Sequence, residues 1–226
     1  MDFIIKDKTK GFVGRYRITK AKLERPEHFM LNDEIVAKRN ELSSVQEQVK
    51  DLRSRKGILA FVRSRAISEE VAVLTERKDV LARDVHALTR QLNRICKTEV
   101  IFQDNIVPTV GRTLIANNLT DATPTNSMLI SHAALGSSGT AVANGDTQLG
   151  TETYRNIIAS ITNASNVAYA TAFFSATEVS GTFAEAGIFC DGTGTANSGI
   201  LLSHVLISVT KSTSETLTID WELTIN

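Results

Sequence analysis

The feature that most constrains this chain is an apolar repeat running from Leu31 to Ile95. In its first part Leu42, Val45, Val49, Leu52 and Leu59 fall on the a and d positions of one heptad frame, with Lys56 as a polar intruder. In its second part Val71, Leu74, Leu81, Val85, Leu88, Leu92 and Ile95 fall on another frame, with Lys78 intruding. A period of 3.5 residues held this long belongs to helices that bury a narrow seam against other helices. The pattern points to assembly rather than chemistry, and these seam residues are the expected oligomer interface.

Two helical architectures fit the repeat. One is a single helix of about 64 residues and about 96 Å, with a stutter in the middle. The other is a hairpin folding back between Gly57 and Ile67. The two frames are out of step, since the first places a core position at Glu70. Gly57 costs about 1 kcal/mol relative to alanine inside a helix. Ser68, followed by Glu69 and Glu70, reads as a fresh N-cap with acids in the first turn. These three features favour the hairpin. Its tip would hold Ile58, Leu59, Phe61 and Val62 inside a ring of Arg53, Arg55, Lys56, Arg63 and Arg65. Such a ring suits a phosphate, or equally a loop buried against neighbouring copies.

Charge divides the chain at the same place. Residues 1–100 carry 22 Lys and Arg against 15 Asp and Glu, and the remainder carries 3 against 10. The basic residues alternate with acids along the helices, which reads as a solvated surface rather than a nucleic-acid face. Cys96 and Cys190 are too few for a disulfide framework and are expected to be reduced. Met1-Asp-Phe-Ile-Ile-Lys-Asp-Lys lacks the apolar core of a signal peptide. The run Ile58 to Val62 is far short of a membrane span. The expectation is synthesis in the cytoplasm and no membrane partner.

Residues 1–30 read as an N-terminal docking arm. Phe3, Ile4 and Ile5, then Phe12, Val13, Tyr16 and Ile18, suit two short strands around Gly11 and Gly14. Arg15, Arg17, Lys20 and Lys22 make one side cationic, fit for an acidic partner, and Pro26 closes the segment. Asn32 and Asp33 offer the N-cap of the first helix. Residues 31–98 are the stalk.

From residue 99 the chain turns rich in Thr, Ser, Asn, Gly and Ala. Val110 to Leu119 reads as one short helix. Period-two segments then predict strands at Met128–Leu135, Thr153–Thr162, Val167–Ser175, Phe183–Phe189, Gly199–Thr210 and Thr216–Ile225. In the last, Leu217, Ile219, Trp221, Leu223 and Ile225 alternate with Thr216, Thr218, Asp220, Glu222 and Thr224. One face buried and one wetted is the mark of an antiparallel sheet. The expected fold is α+β and multidomain: an N-terminal arm and helical stalk followed by an antiparallel β-sandwich or jelly roll over 99–226.

Four stretches in this half carry a resemblance. They are Gly111-Arg-Thr-Leu-Ile-Ala, Leu129-Ile-Ser-His-Ala-Ala-Leu-Gly-Ser, Asp146-Thr-Gln-Leu-Gly-Thr-Glu-Thr-Tyr-Arg and Phe183-Ala-Glu-Ala-Gly-Ile-Phe-Cys-Asp. In order and approximate spacing, about residues 109–210 resemble the virion-associated domain of bacteriophage tail-collar fibre proteins. The resemblance implies a virion structural protein, commonly trimeric, that joins other virion proteins of the tail, neck or capsid. In that family the domain is expected at the N-terminus, whereas here helices precede it, so the docking end stays open.

Arg155 is expected to pair with Glu185 or Glu152 and so fix strand register, because a carboxylate beside an apolar run needs a partner. A catalytic carboxylate pair is the sharper alternative. His28, His86, His132 and His204 lie in separate elements without ligand spacing, so no metal and no cofactor is expected. No Gly-x-Ser-x-Gly elbow and no phosphate-binding Gly-Lys loop occurs. Gly136-Ser-Ser-Gly and Gly192-Thr-Gly-Thr read as turns, and Tyr154 and Tyr169 as core residues rather than sugar platforms. The reading is a non-enzymatic homo-oligomer, expected to be a trimer, forming a short fibre, collar, spike or decoration on a phage particle. The alternative is an adhesin for a host receptor or surface glycan, with the β-domain as the outward tip.

Overall fold

A computed structural model describes residues 11–56, 64–121 and 124–226. Contacts divide the chain into two compact units, residues 23–97 and residues 1–22 with 98–226.

The second of these is built on one sheet. Its strands are β1 (Phe12–Lys22), β2 (Lys97–Asn105), β3 (Ile130–Gly136), β4 (Glu152–Ala164), β5 (Val167–Phe174), β6 (Gly181–Cys190), β7 (Ile200–Lys211) and β8 (Glu215–Ile225). They lie in the order β2-β1-β8-β5-β4-β3-β6-β7. The two ends of that order nearly meet, because Ile106, just past β2, forms an isolated antiparallel bridge with His204 of β7. The result is a nearly closed, barrel-like antiparallel sheet with the core inside it.

This overturns the expected sequence of arm, stalk and β-sandwich. The segment read as a docking arm contributes β1, which pairs with β8 along its whole length. Tyr16 lies opposite Trp221 and Ile18 opposite Ile219, all four at most 1% exposed. An isolated strand this short cannot bury enough apolar surface to hold itself. Matching its alternation to that of β8 solves the problem, so the helices are an insertion between two strands of one sheet. On the cationic side Arg15 reaches Asp104 and Glu222 and Lys20 reaches Glu99 at 2.9 Å, while Arg17 and Lys22 stay exposed. Phe3, Ile4 and Ile5 lie outside the described residues.

Closure is fastened by a buried polar hub. Ser203 Oγ on β7 receives the Tyr16 hydroxyl from β1 at 3.1 Å and Trp221 Nε1 from β8 at 3.1 Å, and Asn105 Nδ2 donates to it as well. Burial raises the Tyr16 pKa above the ordinary phenol range, and the bond to Ser203 opposes that rise.

The other unit holds α1 (Pro26–Lys56) and α2 (Ser64–Ile95). Pro26 opens α1 rather than closing the preceding segment, as proline does at a first helical position, where no amide bond is lost. The helix thus begins six residues before the expected cap at Asn32, and α2 begins four residues before Ser68. Lys38 meets Asp84, while Glu41 meets Arg77, so the helices run antiparallel. A single helix of 64 residues is not formed. The heptad seam is filled from within one chain: Leu42, Val45, Val49, Leu81, Val85 and Leu92 are buried. Leu52, Val71, Leu74 and Leu88 are half-buried, and Ile95 is exposed, with Cys96 buried in its place. The apolar tip at Ile58, Leu59, Phe61 and Val62 lies outside the described residues.

Candidate functional site

The short helix α3 (Thr109–Thr120) and a loop of residues 137–151 meet at a buried polar cluster around Glu185. Glu185 sits on β6, opposite Gly136 of β3. Its side chain is 1% exposed and accepts from three backbone amides of the loop ends. Oε1 takes Ser138 N at 3.2 Å and Thr151 N at 2.8 Å, and Oε2 takes Gly150 N at 2.9 Å. Gly136 is required by this close approach, since a Cβ there would lie 2.5 Å from Glu185 Oε1.

His204 completes the cluster from β7. Its Nε2 lies 2.9 Å from Glu185 Oε2, and its Nδ1 lies 2.8 Å from Asp146 Oδ2 in the loop. Ionised carboxylates only accept, so both contacts are hydrogen bonds only when the three groups share an extra proton. Asp146 also takes Ala143 N at 2.8 Å. Asn144 O accepts Thr109 N at the start of α3, so the loop ties that helix to the sheet. Beneath the polar contacts Leu149 packs with Ala134, Phe189 and Leu201, and Val110 of α3 lies against them.

A second fastening lies alongside. Arg155 of β4 holds Glu152 with two parallel bonds, Nε to Oε1 at 2.6 Å and Nη2 to Oε2 at 2.7 Å. Nη1 donates to Thr193 O and Ser198 O, both at 3.0 Å, and the guanidinium lies 4.6 Å from the Phe189 ring centre. Glu152 Oε2 also accepts Asn197 N. The side chains of the pair are 3% and 1% exposed, so every charge in this fastening is matched where water cannot reach it.

Of the two partners the sequence allowed for Arg155, the structure therefore gives Glu152. Glu185 goes instead to His204 and the loop amides, so the expected pair of Arg155 with Glu185 is replaced by two separate fastenings. The reason is topological: Glu152 opens β4 three residues before Arg155, whereas Glu185 is turned to the loop ends. Asp146 and His204 were missed. They are 58 residues apart, and His204 stands outside the four resembling stretches. His204 lies in a strand as expected, but with a carboxylate on each nitrogen rather than in apolar packing.

Lys211 is 1% exposed at the end of β7, and its ammonium donates to Ala176 O at 3.2 Å and Val179 O at 2.5 Å. Burial pulls its pKa down to about 8, against the opposing carboxylates of Glu178 and Glu215. Cys190 is a buried free thiol, which burial and Asp191 push up to about 12. A hollow of about 350 Å³ at the end of α3 is lined by Leu114, Asn117, Thr120, Asp121 and Pro124 among others. Among the described residues, no group of three His, Cys, Asp or Glu side chains is placed to hold a metal ion. Comparison of the chain with protein-family models, with curated proteins and with solved structures gave no match.

Proposed function

We propose that this chain is a non-enzymatic structural protein of a bacteriophage particle, held in a collar, fibre, spike or decoration by contacts with other virion proteins. One observation carries the reading. The four stretches that resemble tail-collar fibre proteins are separate in sequence, yet they meet at two adjoining fastenings. Gly111 backs onto β7, where a Cβ would lie 3.0 Å from Leu201 O and Leu202 O. The second stretch supplies Gly136, the third Asp146, Leu149, Glu152 and Arg155, and the fourth Glu185 and Phe189. What the resemblance singles out is thus a clasp that locks loop, helix and sheet together. Its carboxylates are already bound by amides, a guanidinium and an imidazole, which is how a scaffold uses them.

The test is to purify particles of the phage that encodes the chain and probe them by mass spectrometry and by gold-labelled antibody. The chain at a fixed copy number and one position on the particle supports the proposal. Its absence from gradient-purified particles sinks it. Binding assays for a host receptor need the full chain, because a fragment starting at residue 100 lacks β1, which lies between β2 and β8 in the sheet.

A further inference from the structure

β2 stands at one end of the strand order and is exposed along most of its length. Natural edge strands are usually short, charged or covered, because their free amides and carbonyls invite another strand. β2 has nine residues, with Val100-Ile101-Phe102 at its centre. Ile101 turns inward against the core. Val100 and Phe102 point the other way and are 39% and 62% exposed, so the uncovered face of the edge is its apolar one. The bridge that closes the sheet lies past the end of β2, at Ile106, and leaves the edge of this stretch away from β1 without a strand beside it among the described residues.

The geometry points to a second copy of this chain as the occupant, paired antiparallel through β2 about a two-fold axis at Ile101. Register selects that axis. A two-fold pair that continues both sheets must match outward residues with outward residues, so the two numbers of each opposed pair sum to an even value. Centring on Glu99 sets acid against acid, and centring on Val100 sets Glu99 against Ile101. Centring on Phe102 sets Val100 against Asp104. Centring on Ile101 sets Val100 against Phe102 twice over, Lys97 against Asn105, Thr98 against Asp104 and Glu99 against Gln103. Only this register joins the apolar residues and opposes no like charges. Such cross-strand pairs are the units of sheet stabilisation, and main-chain bonds between the edges add to them. The strand is complementary to itself.

This surface does not depend on the virion reading, and its test is separate. Sedimentation equilibrium of the purified full chain should show a monomer–dimer equilibrium. Phe102→Lys, exposed and outside the clasp, should raise the dissociation constant at least about 10-fold with an unchanged circular dichroism spectrum. Register is read by cysteine pairing, since opposed residues lie within disulfide reach. Chains carrying Val100→Cys mixed with chains carrying Phe102→Cys should oxidise to a mixed dimer in preference to either self-pair. A wild-type chain that stays monomeric at the highest soluble concentration overturns the proposal, as does a trimer unaffected by Phe102→Lys. Self-pairs forming as readily as the mixed pair overturn the register.

Discussion

The helical unit and the clasp of the sheet keep their ion pairs in opposite places. Arg77 and Glu41, which bridge α1 and α2, are 59% and 44% exposed, whereas Arg155 and Glu152 are 3% and 1%. Only three basic residues remain after position 100, and two of them, Arg155 and Lys211, are buried. In the helices apolar burial holds the structure and the Arg77–Glu41 bridge decorates it, although Arg39 of α1 is itself only 4% exposed. In the clasp, polar groups do the holding, because a loop has no ladder to satisfy its amides and Glu185 satisfies them instead. Charge composition alone does not reveal this, since the charge-poor half is the one that depends on its charges.

The comparison breaks first at Glu185. Removing its carboxylate leaves three amides and His204 without their acceptor, so Glu185→Ala should cost about 4 kcal/mol in urea unfolding at neutral pH. Glu185→Gln, which keeps shape and one acceptor oxygen, should cost clearly less. A loss below about 1 kcal/mol for the alanine variant would show the clasp to be ornamental. Arg155→Ala should follow at about 3 kcal/mol, because it strands a buried Glu152. Arg155→Lys should recover only part of that, since lysine cannot make the two parallel bonds.

The seam supplies the apolar counterpart. Leu42 is 0% exposed, so Leu42→Ala should cost about 3 kcal/mol by the transfer and cavity terms. Leu74 belongs to the same repeat but is half-buried, and its alanine variant should cost about 1 kcal/mol. Equal losses at the two positions would mean that another surface covers Leu74.

The sequence disclosed these regions unequally for the same physical reason. A heptad repeat is local, so the six strands from residue 128 onward were readable within a few residues at each end, and so were the helices, except that α1 begins six residues before the cap expected at Asn32. Pairing between strands is not local. Nothing in Phe12–Lys22 says that its partner begins 193 residues later at Glu215, and the alternation it shares with β8 is visible only once both strands are set side by side. β2 was missed because only Ile101 and Asn105 of its nine residues are even half-buried, a pattern that resembles no periodic template. Of the clasp, the resemblance pointed to Glu185, Glu152 and Arg155, whereas His204 carried no signal. One histidine in an apolar strand reads as packing until the loop that faces it is placed.

Lys211 sharpens the contrast through pH. Its folded pKa of about 8 lies below the ordinary lysine value, so between the two the unfolded chain holds a proton that the folded chain has released. Stability from this group therefore rises as pH climbs from about 8 towards the ordinary value and is at its lowest below pH 8. Taking the difference between wild type and Lys211→Met at each pH isolates it from other titrations. The wild type should gain on the variant across that window, and a flat difference would place the ammonium in water.

The smallest effect belongs to the exposed pairs of the helices. Arg77 and Glu41 lie far enough in solvent that their attraction is screened and holding two long side chains together costs entropy. Arg77→Ala should shift unfolding by no more than about 0.5 kcal/mol, and the shift should vanish in 1 M salt. The same salt should leave the cost of Arg155→Ala nearly unchanged, because ions do not reach a pair whose side chains are 3% and 1% exposed. Measuring both variants at low and high salt thus tests the division directly. If Arg155→Ala becomes cheap in salt while Arg77→Ala does not, the buried and exposed assignments are reversed, and the clasp cannot be what locks the loop to the sheet.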